Sequence, residues 1–111
     1  MKIQKNVENP DMNVISFNEG SDASHKAFLL FGEHAREFIS PETGLHFVKK
    51  LCSDDISVKN VKSSFQLKMV VNANPHSRVK AEQGDFCLRE NENGVDINRN
   101  YEAHWSPVSQ K

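Results

Sequence analysis

Cysteine is scarce in this 111-residue chain: Cys52 and Cys87 are too few for a disulfide scaffold, and their separation is wrong for a C-x-x-C metal knuckle. A single bridge between them is compatible with the sequence, so the redox compartment stays open. No N-x-S/T acceptor occurs anywhere. Neither sign of charge is in excess. Fourteen Lys and Arg against fifteen Asp and Glu leave a formal net charge of −1. The signs are mixed along the chain, which speaks against a basic nucleic-acid face or an acidic tail. Long apolar runs are missing as well. The opening "MKIQKNVENPDMN" lacks the apolar core of a signal peptide, and no later stretch approaches a membrane span. The expectation is a soluble chain with no visible address, no nucleic-acid partner and no membrane segment. There is no internal repeat and no low-complexity tract. The length allows at most one small domain, with a modest core but little room for a deep, water-excluding cleft.

What is present follows an α/β order. The first 25 residues are polar apart from "NVISF" at 13–17, and "NEGSDASH" reads as a turn. "KAFLLF" (26–31) is a continuous apolar run of strand length, the pattern of a strand buried on both faces of a parallel sheet. A helix is expected next, with Ser40 as N-cap, Pro41 at its first position and Glu42 at the positive end of the dipole. Leu45, Val48, Leu51 and Cys52 form its apolar stripe, and "SDD" at 53–55 ends it. After a polar loop, "SFQLKMVVNANP" alternates at Phe65, Leu67 and Met69 and reads as a second strand. Strand, helix, strand predicts a right-handed βαβ crossover, and residues 75–93 read as a long surface loop. Ligands of such sheets sit beyond the carboxyl ends of the strands. His34 and Glu37 follow the first strand and Asn74 the second, so both loops open on one edge.

An imidazole and a carboxylate three positions apart at a strand-to-helix turn can face one side, and both are zinc ligands. "NENGVDINRNYEAHW" (91–105) adds groups suited to a carboxylate-binding cleft. Asn98 offers amide donors and Arg99 a planar fork for bidentate binding. Asp96, two positions before Asn98, lies on the same face if the chain is extended, and reads as a carboxylate that orients a metal-bound histidine. Arg89, just upstream, can polarise a carbonyl under attack, and the plainer reading of each arginine is a solvated surface charge.

Together these residues resemble the zinc metallocarboxypeptidases, the carboxypeptidase A family. "GEHARE" resembles that family's H-x-R-E zinc motif, "VNANPHSR" the strand and turn after it, and "CLRENENGVDINRNY" its arginine loop and G-V-D-x-N-R-N signature. The resemblance covers about residues 26–105 in the family's order. It implies the fold of an open, mostly parallel or mixed sheet, an incomplete piece of a carboxypeptidase-like α/β/α sandwich, with residues 1–111 a single partial catalytic domain. It also implies one zinc ion and the hydrolytic removal of C-terminal residues from peptides or proteins. Position by position, His34 and Glu37 match the first two zinc ligands, and Arg36 belongs to the substrate subsites. Arg89 matches the arginine that stabilises the oxyanion, Asn98 and Arg99 the pair that holds the terminal carboxylate, and Asp96 the carboxylate behind the first zinc histidine.

The family's third zinc ligand, its general base and a substrate-contacting tyrosine lie beyond the N-R-N signature, and the chain stops at Lys111 before any of them. The resemblance therefore implies roughly the first third of a catalytic domain, poorly active by itself. His76 and His104 are the remaining candidates for a third ligand in the chain itself, and His25 and His46 lie at the wrong strand end and mid-helix. Two other readings compete. The aspartoacylase-like zinc deacylases share the zinc motif and D-x-N-R, but usually carry asparagine where Arg36 stands. The other reading is a degenerate, catalytically dead binder of peptide carboxylates.

Overall fold

The computed structural model describes residues 1–5 and 11–106. Four strands, β1 (Lys2–Lys5), β2 (Asn13–Phe17), β3 (His25–Leu30) and β4 (Phe65–Val70), form one sheet in the order β1-β2-β4-β3. β3 and β4 are parallel, while β2 runs antiparallel to β4 and β1 antiparallel to β2. The sheet is thus mixed and open, and the β3-to-β4 connection carries the expected helix, α1 (Ile39–Leu51). The short apolar window at 13–17 is β2. The interval after α1 is not a plain loop, since it holds a 3₁₀ turn at Ile56–Val58 and α2 (Lys59–Ser64).

Register decides where the core lies. Ile15 stands opposite Met69, Phe17 and Ala27 flank Leu67, and Leu29 pairs with Met69, so these side chains share one face. Leu51 of α1 and Val58 of the 3₁₀ turn close over that face, with Phe47, Val48 and Val61 packed around them. Each fully buried Leu or Met here contributes roughly 1.5–3 kcal/mol.

Four further sequence expectations are corrected. β3 is not buried on both faces: it is the last strand in the order, and Phe28, on the face away from the helices, is 62% exposed. The expected apolar stripe of α1 is half met. Leu51 lies in the core and Val48 packs against it, whereas Leu45 and Cys52 are exposed and Pro41 and Gly44 are buried, Gly44 against Phe31. Ser40 does not cap α1. The helix begins two residues earlier, at Ile39 after Phe38, and the Ser40 hydroxyl instead accepts the Gly32 N–H at 2.9 Å. The stretch from residue 75 is not all loop either. Pro75–Glu82 is a helix, α3, whose buried positions are Ser77 and Ala81, too small to register as an apolar stripe. Cys52 and Cys87 are free thiols, both exposed.

Candidate functional site

Pairing of β3 with β4 runs one step past the strand ends, with the Phe31 N–H on the Val70 carbonyl and the Ala73 N–H on the Phe31 carbonyl, each at 2.9 Å. Gly32 then turns the chain at φ +73°, a conformation that side chains with a Cβ rarely adopt. A Cβ there would also meet the Asn72 Oδ1 at 2.9 Å. This turn delivers Glu33 and His34 to the carboxyl edge of the sheet. The Glu37 N–H returns to the His34 carbonyl at 3.2 Å, and that turn brings the two side chains together.

His34 is buried and lies between two carboxylates. Its Nδ1 is 3.0 Å from Glu37 Oε2 and its Nε2 is 3.0 Å from Asp96 Oδ1. A neutral imidazole carries one N–H, so only one of these contacts is a hydrogen bond unless the ring is protonated. The Asp96 side is enclosed and the Glu37 side is open, with the Glu37 side chain 48% exposed. Arg89 completes the cluster: its Nε donates to Asp96 Oδ2 at 2.6 Å, and its guanidinium lies 3.9 Å from Glu37 Oε1. Burial pushes the Asp96 carboxyl up, but the hydrogen bonds from Arg89 and His34 and their charges outweigh it, and the group sits below its ordinary value.

Asp96 also accepts the Asn98 N–H at 3.1 Å, capping the 3₁₀ turn Ile97–Arg99. That turn overturns the extended-chain reading of this segment. Asp96 is buried, while Asn98 and Arg99 are exposed. The Arg99 guanidinium donates to the Asn98 carbonyl at 2.9 Å, and the exposed Arg36 donates to the Cys87 carbonyl at 3.3 Å. His34, Glu37, Arg89 and Asp96 are therefore brought together, with Asn98 and Arg99 attached through Asp96.

The donor chemistry suits zinc on one side of His34. With Nε2 fixed on a buried carboxylate, Nδ1 can present its lone pair beside the open Glu37 carboxylate, the carboxylate–histidine arrangement typical of bound zinc. Their 3.0 Å separation is close to the roughly 3.3 Å between neighbouring ligands of a tetrahedral zinc. These are two ligands, however, and among the described residues no group of three His, Cys, Asp or Glu side chains is disposed to hold a metal ion. His76 sits on α3 and pairs with Asp11 at 2.9 Å, and His104 is exposed. Neither joins the cluster.

Two residues make contacts at this edge that the sequence does not announce, although it places the first of them there. Asn74, fully buried, bridges the His34 and Arg89 loops, and Tyr101 donates its hydroxyl to the Glu33 carboxylate. The position of Asn74 at a strand end, just before a proline, is a weak signal for the first. Nothing local marks the second.

The family described as "Zinc carboxypeptidase" matches residues 1–111. "Zinc carboxypeptidase A 1" of Anopheles gambiae is 33% identical over 92 residues, covering 71% of this chain and 20% of that protein. "Carboxypeptidase A2" of Mus musculus is 28% identical over 121 residues, covering 95% of this chain and 28% of the relative. The crystal structure of thrombin activatable fibrinolysis inhibitor (TAFI) superposes with a TM-score of 0.75 at 23% identity, over 95% of this chain and 29% of that one, a likeness of fold. The chain thus spans between a fifth and three tenths of the length of these proteins. A match over every residue, on a fold of the same kind, makes this chain a member of the zinc carboxypeptidase family.

Proposed function

We propose that this chain supplies the first part of a metallocarboxypeptidase site that removes C-terminal residues from peptides or proteins. The observation that carries the reading is the single imidazole of His34 set between an open carboxylate, Glu37, and an enclosed one, Asp96. His34 Nδ1 and Glu37 would hold one zinc ion, and a third ligand would come from sequence outside this chain. The chemistry a bound zinc supplies is polarisation of the scissile carbonyl and a lowered pKa for an attacking water.

The remaining steps fall to side chains of this chain. Asp96 fixes the His34 tautomer by accepting from Nε2. Arg89 is held by Asp96 through its Nε, so its outer N–H groups are pre-aimed and can take up charge developing on the carbonyl oxygen with little reorganisation. Asn98 and Arg99 stand exposed, and the Arg99 fork can bind a terminal carboxylate bidentately. Arg36 lies at the same edge and would line a neighbouring subsite. The zinc deacylase reading gains no comparable support, since the relatives found are carboxypeptidases.

The test uses the complete polypeptide that contains this sequence and an N-blocked peptide with a free C-terminus, alongside its C-terminally amidated twin. The expected result is chelator-sensitive release of the last residue from the acid and not from the amide. Arg89→Ala should lower kcat by about 10²–10³-fold. Equal cleavage of the amide, or release indifferent to chelator, would overturn the proposal.

A further inference from the structure

We infer that Asn74 is a positioning residue that ties the proposed metal-ligand loop to the arginine loop; the inference rests on the functional reading above. Asn74 is 1% exposed, and its Nδ2 donates to two backbone carbonyls, Glu33 and Glu90, each at 3.1 Å. Both partners are acceptors only, so the amide nitrogen, and not the oxygen, must face them. Glu33 directly precedes His34, and Glu90 directly follows Arg89. The link is reinforced alongside by the Ala35 N–H donating to the Arg89 carbonyl at 3.3 Å.

The loops are 41 and 16 residues from Asn74 in sequence, and one side chain therefore sets the distance between the two groups that must meet the same carbonyl. The amide oxygen of Asn74 is buried with no partner among the described residues, a burial cost that the donor end must offset. Only an amide has two hydrogens on one atom at this size. Aspartate matches its shape but would set a carboxylate against two carbonyls, and serine retains a single donor.

The experiment compares Asn74→Asp, Asn74→Ser and Asn74→Ala with Ser77→Ala, a nearby buried hydroxyl that links no loops. Zinc affinity by chelator competition and steady-state kinetics are read in the complete polypeptide, together with amide exchange at Ala35. Asn74→Asp should weaken zinc binding and lower kcat by about 10–100-fold with KM within threefold, as is usual for residues that hold metal ligands in place. Ala35 exchange should accelerate at least tenfold, Asn74→Ser should lie between, and Ser77→Ala should match the unsubstituted protein. Should Asn74→Ala fail to fold, the aspartate and serine variants decide. Unchanged zinc affinity, kcat and Ala35 exchange in Asn74→Asp would overturn the inference. Absence of zinc binding in the unsubstituted protein would instead sink the functional reading, and Ala35 exchange would still report whether Asn74 joins the loops.

Discussion

Tyr101 and Glu33 show how one contact couples a distant segment to the edge of the sheet. The phenol donates to a carboxylate 68 residues away, directly beside the His34 position. Burial first, then the hydrogen bond to Glu33 and its negative charge, push the Tyr101 phenol up to about 12 from an ordinary 10. The folded state therefore holds this proton more tightly than the unfolded chain. The stabilisation is fully present below pH 10 and is lost as pH rises from about 10 to about 12. Following the Tyr101 ring-carbon resonance with pH should give a midpoint well above 10, and Glu33→Gln should lower it. A midpoint at 10 in the folded protein would mean that the contact is not made in solution.

Among the elements, α1 is placed by a close approach that its apolar periodicity does not reveal. A Cβ at Gly44 would lie 2.7 Å from Phe31 Cδ2 and 2.8 Å from its Cγ, so the helix meets the end of β3 through a glycine. Helix propensity alone would make Gly44→Ala stabilising by about 1 kcal/mol. Overpacking at that distance costs roughly 1–3 kcal/mol, so the expected sign is destabilising. A lower urea midpoint with an unchanged m-value would bear this out, and a raised midpoint would show that Phe31 yields freely. Of the expected stripe, Leu51 is buried while Leu45 and Cys52 are not. Sequence periodicity registers large apolar residues, whereas this helix also buries Pro41 and Gly44. α3 escaped for a related reason. Its buried face is Ser77 and Ala81, and its Arg78 lies 4.4 Å from the Phe38 ring centroid and pairs with Glu42 and Glu82.

At the scale of the whole molecule, the parallel pair that positions the site also forms one edge of the sheet. β3 ends the strand order among the described residues, and Phe28 projects from it between the exposed Lys26 and Lys68. An unpaired edge beside an exposed aromatic is a template for pairing with another chain. A polypeptide of these 111 residues alone is therefore expected to self-associate at micromolar concentration, and Phe28→Lys to shift it toward monomer in sedimentation velocity. A sharply cooperative monomer without the substitution would contradict this.

The amino-acid sequence by itself determined the β3–α1–β4 unit, because apolar runs and alternation at those positions admit few other elements. It also offered the residues of the candidate site, since the motifs that hold His34, Glu37, Arg89 and Asp96 stand in the order of the family they resemble. Only the tertiary structure decided which nitrogen of His34 faces which carboxylate, that Asp96 turns inward while Asn98 and Arg99 stay out, that the Asn74 side chain bonds both site loops, and that Tyr101 joins the same edge. The reason is physical. Periodicity reports on a segment and its nearest face, whereas these contacts close loops of up to 68 residues through single hydrogen bonds that leave no trace in local composition.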